Sequence, residues 1–345
     1  VAHTHDVLIL GRGIAGAVLA ETLLQRGLRV HVFDHKRPGN ASMAAAGVVN
    51  PVVLKRDVPS WRAEELLPVA GAFYTAMERH LDAPFWHPIE LVKLFASAGD
   101  AAQWARAQEH PVTGTFIDRR SQPGVDVAPV HAPHGHGTVH RAAWLDVPAM
   151  LEAQRKDLLA RQLLSETPIE EADIVNGTGG VRIGDRSAPL LVRCTGPFAR
   201  MHGLVPVKGE GLTLRLPGLP RDRMLHRGVF ALPVGDDLHR VGATFTWNEV
   251  WDGPTEAARD WLLEKLRKLT PVAPDVVGQW TGVRPTSADR RPILGRIAAH
   301  EAVLNGLGSR GVLLAPWCAA HLADHLFAGQ SLHPEVDVSR FVSLA

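Results

Sequence analysis

Three glycines near the start of the chain, Gly11, Gly13 and Gly16, stand in G-x-G-x-x-G register, and Asp34 ends the next apolar stretch. Gly11 permits a tight turn, Gly13 lets backbone approach a pyrophosphate, and Gly16 lets a helix pack closely on a strand. Amides at a helix start, at the positive end of its dipole, would hold phosphates, and Asp34 is placed to accept hydrogen bonds from a ribose diol. The chemistry on offer is capture of a dinucleotide. Two arginines far downstream, Arg284 and Arg310, each lie beside glycine or proline, where the backbone is fixed and a guanidinium can be aimed. Taken singly, either is equally a surface arginine in a salt bridge.

The elements around these residues support the first reading. Val7, Leu8, Ile9 and Leu10 form an apolar run, as in a strand buried on both faces. Residues 17–24 continue as a helix former, Gly27 closes that helix, and residues 29–33 alternate into a second strand. A bare glycine motif is a weak signal and would also suit a chance glycine-rich turn. Strand, glycines, helix, strand and acid in sequence make a strong one.

At 345 residues the chain exceeds one ordinary core, so two domains are expected. A net charge of +1 argues against broad electrostatic capture of nucleic acid, though not against a local basic patch. Cys194 and Cys318 are the two cysteines and lie far apart, which suggests neither a disulfide framework nor a zinc site. The first strand starts almost at once, leaving no room for a signal peptide, and no apolar run reaches membrane-spanning length. The expectation is a soluble cytoplasmic protein.

Further along, Asn40 or Ser42 could cap a short helix through residues 44–46, whose small side chains would let something flat lie against the backbone. Residues 61–81 carry helical periodicity, 89–95 read as a strand and 101–109 as a helix. Residues 118–137 look like a long loop holding His131, His134 and His136, with His140 just beyond. Imidazoles at this density can chelate a metal, but no carboxylate or cysteine completes a ligand set, and no metal is expected. Residues 137–141 read as a strand, 148–164 as a helix, 165–185 as ambiguous, and 188–195 as a strand ending at Gly196. Residues 205–216, 229–233 and 238–245 look like antiparallel strands, with Lys208, Gly209 and Glu210 taken as a break between them. Residues 255–269 form an amphipathic helix capped by Thr255. The last third repeats strand, glycine-rich turn and helix, with Pro316 kinking or delaying that helix.

Together, the G-x-G-x-x-G with Asp34, SMAAAGVVNP, RCTG, PVKGE, GATF, GVRPTSADRRPILG and NGLGSRGVLLAP resemble, in order, FAD-dependent amine and amino-acid oxidases. The pattern is most like glycine oxidases and D-amino-acid oxidases. The last motifs, with Asn50-Pro51 and the tyrosine of AFYTAM, also resemble the FAD domain of the bacterial enzyme that trims carboxymethylaminomethyl-uridine in tRNA. The resemblance implies an α/β fold with a Rossmann-like FAD domain of the p-hydroxybenzoate-hydroxylase type, roofed by an antiparallel-sheet substrate domain. The FAD domain would comprise residues 1–57, 138–204 and 279–345, and the roof residues 58–137 and 205–278.

Carried over by position, the resemblance implies that Gly11, Gly13, Ile14, Ala15, Gly16, Asp34 and His35 hold the ADP half of a non-covalent FAD. Ser42, Ala45, Ala46 and Gly47 would line the flavin ring, and Thr195 and Gly196 would pass the cofactor. Gly308, Ser309, Arg310, Gly311 and Val312 would meet its pyrimidine edge, Arg310 being counted with the catalytic residues. Arg284 would pair with a substrate carboxylate, with Asn50 and Trp247 as further substrate contacts. The implied reaction is hydride transfer from the carbon bearing the amine to flavin N5. The imine is then hydrolysed, and electrons pass to oxygen or another acceptor. Family members often close the site with tyrosines, whereas Tyr74 is the single tyrosine here. Trp247, Trp251, Phe245 or Lys55 would have to substitute. The alternatives are a tRNA-modifying flavoprotein of the same chemistry, supported by Lys55, Arg56 and Arg62, and a flavin-binding protein without activity.

Overall fold

The computed structural model describes residues 3–118 and 129–341. In chain order, the strands that build the site begin with β1 (Val7–Leu10), β2 (Val30–Phe33), β3 (Glu90–Leu94), β4 (His136–Val139), β5 (Leu164–Ser165) and β6 (Leu191–Arg193). They continue with β7 (Leu204–Arg215), β8 (Arg223–Arg227), β9 (Val229–Gly235), β10 (Leu238–Gly242), β11 (Asp275–Ser287), β12 (Ile293–Ala298) and β13 (Glu301–Asn305).

The apolar opening run does become a strand covered on both faces. It lies inside a six-stranded sheet of order β5-β2-β1-β6-β13-β12, parallel except for its β12 edge. Val7, Ile9, Val30, Val32 and Val192 face a core shared with helices α1 (Ile14–Gln25), α3 (Ala63–Leu81), α5 (Val147–Ala160) and α7 (Gly311–Ala328). Leu8, Phe33 and Leu191 face the other way, onto Val181, Ile183 and Ala188. Those three belong to a small antiparallel sheet of Ile174–Gly177, Gly180–Ile183 and Arg186–Ala188, which occupies the stretch left ambiguous above.

A second sheet has seven strands in the order β11-β7-β10-β9-β8-β3-β4. Its neighbours are antiparallel apart from β8 and β3, which run parallel. One face buries Leu212, Leu214, Leu225 and Val241 against Leu262, Leu266 and Leu269 of helix α6 (Glu256–Leu269). Thr255 caps that helix, its hydroxyl accepting from Ala258 N at 3.3 Å. The other face packs Leu91, Met224 and Leu232 against Ala101 and Trp104 of helix α4 (Ala98–Gln108) and turns toward the first sheet. Short helix α2 (Ala41–Ala44), capped by Asn40, meets it there, and a Cβ on Gly282 would sit 2.6 Å from the Cβ of Ala44.

Three sequence expectations change. Lys208, Gly209 and Glu210 do not interrupt a strand; they lie inside β7, where Lys208 and Glu210 form a buried ion pair of 3.1 Å on the α6 face. Alternation in a strand puts both charges on one face and Gly209 on the other, so the polarity of the stretch marked a pair rather than a break. Helix α3, assigned above to the roof, buries Leu66, Ala70, Tyr74 and Met77 in the core of the parallel sheet instead. Helix α7 neither starts late nor stops at Pro316. Part of the histidine-bearing loop (residues 119–128) lies outside the described residues. Among the described residues no cluster of three or more metal-ligating side chains forms, and His140 instead contacts Asp118 at 2.7 Å. No helix among them is long and apolar enough to cross a membrane.

Candidate active site

A cavity of about 1450 Å³ runs from the C-terminal ends of β1, β2 and β6 to the inner face of the seven-stranded sheet. At its first end Gly11 turns with φ +99°, and a Cβ there would sit 2.6 Å from the carbonyl oxygen of Cys194. Only glycine fits. Gly16 lies outside the lining because its task is packing: a Cβ on it would come within 1.8 Å of Gly11 O. Gly13, Ile14, Ala15, Asp34 and His35 line the cavity. Asp34 Oδ1 accepts from the backbone N–H of Arg12 at 3.0 Å, which fixes the carboxylate at the rim. Ser42 lines the wall too, its hydroxyl accepting from Ile14 N at 2.9 Å and tying α2 to the start of α1.

Along the middle lie Ala45, Ala46 and Gly47 on one side and Thr195 and Gly196 on another. Gly308, Ser309, Gly311 and Val312 bring the N-terminus of α7 to the wall, so two helix starts converge on one space. Neither helix has a side-chain cap from its own N-cap residue; at α1 Ser42 takes the Ile14 amide, and the amides that follow in the first turn are the ones left for a ligand. A donor set of this kind, with glycines wherever a Cβ would collide, fits the phosphates and ring of FAD.

The sheet end is built around Arg284. Its guanidinium donates to Thr244 O at 3.1 Å and lies 4.1 Å from the centroid of the Phe245 ring. It is laid flat over Gly209, where a Cβ would stand 2.1 Å from Nη2. No carboxylate pairs with it among the described residues, and burial pushes its pKa down to about 10. A half-buried cation without an acid, opening on a cavity, is a seat for an anion.

Three expected site residues are placed elsewhere. Arg310 turns its guanidinium to the Ser60 hydroxyl, outside the cavity lining, although its neighbours in the chain do line it. Asn50 spends its side-chain oxygen on Val52 N at 2.9 Å, holding a turn, and Trp247 is 59% exposed and off the wall. Phe245 and Trp251 do line the cavity, whereas Lys55 does not.

Sequence reasoning missed several residues. Glu170 and Glu171 reach the dinucleotide end from the region left unassigned, and Glu171 grips Arg193 through two bonds of 2.6 and 2.9 Å. Arg240 donates to the carbonyls of Ala45 at 2.5 Å and Ala44 at 2.8 Å, and its Cζ lies 4.5 Å from the Trp280 ring. Its signal was period-two alternation from Gly242. His226 and Phe230 enter from β8 and β9, and no local pattern singled them out.

Residues 6–325 match the family described as "DAO: FAD dependent oxidoreductase". The chain is 27% identical over 344 residues to a glycine oxidase of Pseudomonas aeruginosa, covering 92% of this chain and 93% of that one. It is 28% identical over 333 residues to the tRNA 5-methylaminomethyl-2-thiouridine biosynthesis bifunctional protein of Maricaulis maris, covering 94% of this chain but spanning 52% of that protein. Among solved structures, an iminodiacetate oxidase from Chelativorans sp. BNC1 superposes with TM-score 0.79 at 22% identity, covering 97% of this chain and 98% of the other. A glycine oxidase from Geobacillus kaustophilus gives TM-score 0.79 at 21% identity, covering 99% and 98%. The fold is thus that of FAD-dependent oxidases, an α/β architecture with an added antiparallel sheet. The chain belongs to the DAO family of FAD-dependent oxidoreductases, and FAD is its cofactor.

Proposed function

We propose that the chain oxidises the C–N bond of an amino acid or N-substituted glycine, with Arg284 holding the substrate carboxylate. The observation that carries this is the half-buried Arg284 guanidinium, which faces the cofactor cavity and has no acid partner among the described residues. A planar guanidinium makes two parallel bonds to a carboxylate, which fixes both position and orientation of the carbon next to it. The cavity exceeds the ~300–1,000 Å³ of ordinary ligand pockets, so it has room for a dinucleotide and a second small molecule.

Bound FAD supplies the two-electron acceptor; the substrate loses a hydride and a proton and leaves as an imine, which water hydrolyses. The residues of this chain position and shield. Gly308 to Val312 would present the positive end of α7 where negative charge builds on the reduced cofactor. Phe230, Phe245 and Trp280 keep the sheet end apolar. The part of the lining contributed by the seven-stranded sheet has no carboxylate, so the amine binds uncharged, the form that can release a hydride. The antiparallel sheet is proposed as the substrate side; it draws on the expected 58–137 and 205–278 but leaves α3 to the other core and runs on through β11 to Ser287, which brings in Trp280 and Arg284.

The test is an absorbance spectrum of the purified holoenzyme, followed anaerobically through amino acids and N-alkyl glycines. Bleaching by one of them is expected; bleaching by none overturns the reading. Arg284→Ala is expected to retain the yellow cofactor while kcat/KM for carboxylate substrates falls on the order of 100-fold or more.

A further inference from the structure

The inner face of the seven-stranded sheet carries a row of residues in direct register: Trp280 opposite Gly211, Gly211 opposite Gly242, Gly242 opposite Phe230, and Phe230 opposite His226. The two glycines leave a trough, and Trp280 lies in it. A Cβ on Gly211 would stand 1.9 Å from Trp280 Cζ2, and one on Gly242 would stand 3.2 Å from Trp280 Cη2 and 3.1 Å from Phe230 Cζ. The indole therefore spans two strands, and its Cη2 and Phe230 Cζ both lie beside Gly242. Arg284 crosses Gly209 on the same face, two positions along the strand from Gly211.

Two polar atoms of this row are buried without a hydrogen-bond partner: Trp280 Nε1 and His226 Nδ1. Both residues line the cavity. With Arg284 they make up all the polar side chains that the sheet contributes to it; the rest are Pro206, Phe230, Phe245, Ala243, Pro285 and glycines. An unmet buried donor is costly and is retained where a ligand completes it. An indole nitrogen only donates, so it asks for an acceptor. The charge nearby points the same way, because Arg240 stacks on the indole and, like Arg284, bonds only to backbone carbonyls among the described residues. Burial and the neighbouring Lys93 keep the imidazole of His226 neutral, with its pKa pushed to about 4, so it too can donate one hydrogen.

The Trp280 indole lies over Gly211, two residues along the strand from the Arg284 seat, whereas His226 is three strands further off. We infer that the substrate is an amine with an acceptor at each end: a carboxylate on Arg284, and a second carboxylate or amide carbonyl on Trp280 Nε1. This rests on the Arg284 assignment above and adds the chemistry of the far end of the substrate. Glycine or sarcosine would leave that end unmatched.

The experiment separates binding from turnover. Holoenzyme is titrated calorimetrically with ether isosteres that cannot be oxidised at nitrogen: diglycolate, its monoamide, and methoxyacetate, which lacks the second acceptor. Diglycolate, with or without the monoamide, is expected to bind about tenfold or more tighter than methoxyacetate. In Trp280→Phe, which keeps a ring over the glycines, that ratio should fall to within about threefold, whereas His226→Leu, three strands away, should leave it as in wild type. Because FAD is already bound, an indole nitrogen satisfied by the cofactor gives no preference, and equal affinities overturn the inference. A preference that survives Trp280→Phe overturns it as well; should that variant fail to fold, Trp280→Leu decides. In parallel, iminodiacetate and sarcosine are mixed anaerobically with wild-type enzyme. Reduction by both at equal kcat/KM, without a binding preference, removes the second acceptor but leaves the amine-oxidase reading intact. A binding preference without reduction by any amine does the reverse.

Discussion

Tyr74 donates its hydroxyl hydrogen to the carbonyl oxygen of Val312 across 2.9 Å. In an α-helix that carbonyl would be met by the amide of residue 316, and Pro316 has no amide hydrogen. The lone tyrosine of the chain therefore fills the gap that the proline opens, one turn into the helix whose start lines the cavity. This also explains why α7 continues through Pro316 without a late start.

The pair is testable by a double-mutant cycle. Tyr74→Phe should cost about 1–3 kcal/mol, because it leaves a buried carbonyl without a donor. In a Pro316→Ala background the new amide can take that carbonyl, and the same substitution should cost less than about 1 kcal/mol. Thermal denaturation of the four proteins checks it. Equal costs in both backgrounds would show that the hydroxyl has no share in completing the helix.

Gly209 should matter to substrate and little to folding. Its Cβ would displace the Arg284 head group, not backbone, and a guanidinium on a flexible stem can move. Gly209→Ala is expected to raise the Kd for carboxylate ligands about tenfold or more, with melting temperature and flavin content near wild type. Unchanged carboxylate affinity in a folded variant would mean that Arg284 does not need its flat seat.

Arg240 ties the roof to the segment beside the cofactor through the carbonyls of Ala44 and Ala45. Arg240→Gln removes that two-pronged grip and the charge stacked on Trp280. FAD affinity is expected to fall about tenfold or more, with Arg240→Lys intermediate, since an ammonium reaches one carbonyl more readily than two. Equilibrium titration of apoprotein with FAD measures it; wild-type affinity in both variants would remove Arg240 from cofactor positioning.

The nucleotide end was legible in the sequence because its causes are local. Gly11, Gly13, Gly16 and Asp34 lie in one strand-turn-helix-strand unit, so turn geometry, close packing and the ribose acid follow from neighbours in the chain. The sheet end was legible only where punctuation gave it away, as at Arg284. Arg240, His226 and Trp280 come together through register across the seven-stranded sheet, and register is a long-range property that no single strand encodes. Lys208 and Glu210 misled for a related reason: charges beside a glycine read as a break until a partner strand and α6 bury them as a pair. Trp247 and Asn50 had suitable chemistry and the wrong direction, which the fold alone decides. Tyr74, the single tyrosine in a family that often closes its site with tyrosines, serves the backbone of α7.

His31 gives the protein an acid-sensitive strand. It sits in the middle of β2 at 1% exposure, its Nε2 2.8 Å from the Ser165 hydroxyl, and its Nδ1 has no partner. Burial, with help from Arg186 and His5, pushes its pKa down to about 4. An unfolded histidine titrates near 6.5, so between about pH 6.5 and 4 the unfolded chain binds the proton and the folded chain does not. Stability is therefore full above that window and falls as pH drops through it. The loss between pH 7 and 5 should be up to about 2 kcal/mol from this residue. In His31→Leu the proton-linked part disappears, so the drop in melting temperature from pH 7 to 5 should be smaller than in wild type, whatever the absolute stability of the variant. Parallel pH profiles for the two proteins would show that His31 is already charged in the folded strand, or that β2 opens locally before the domain unfolds.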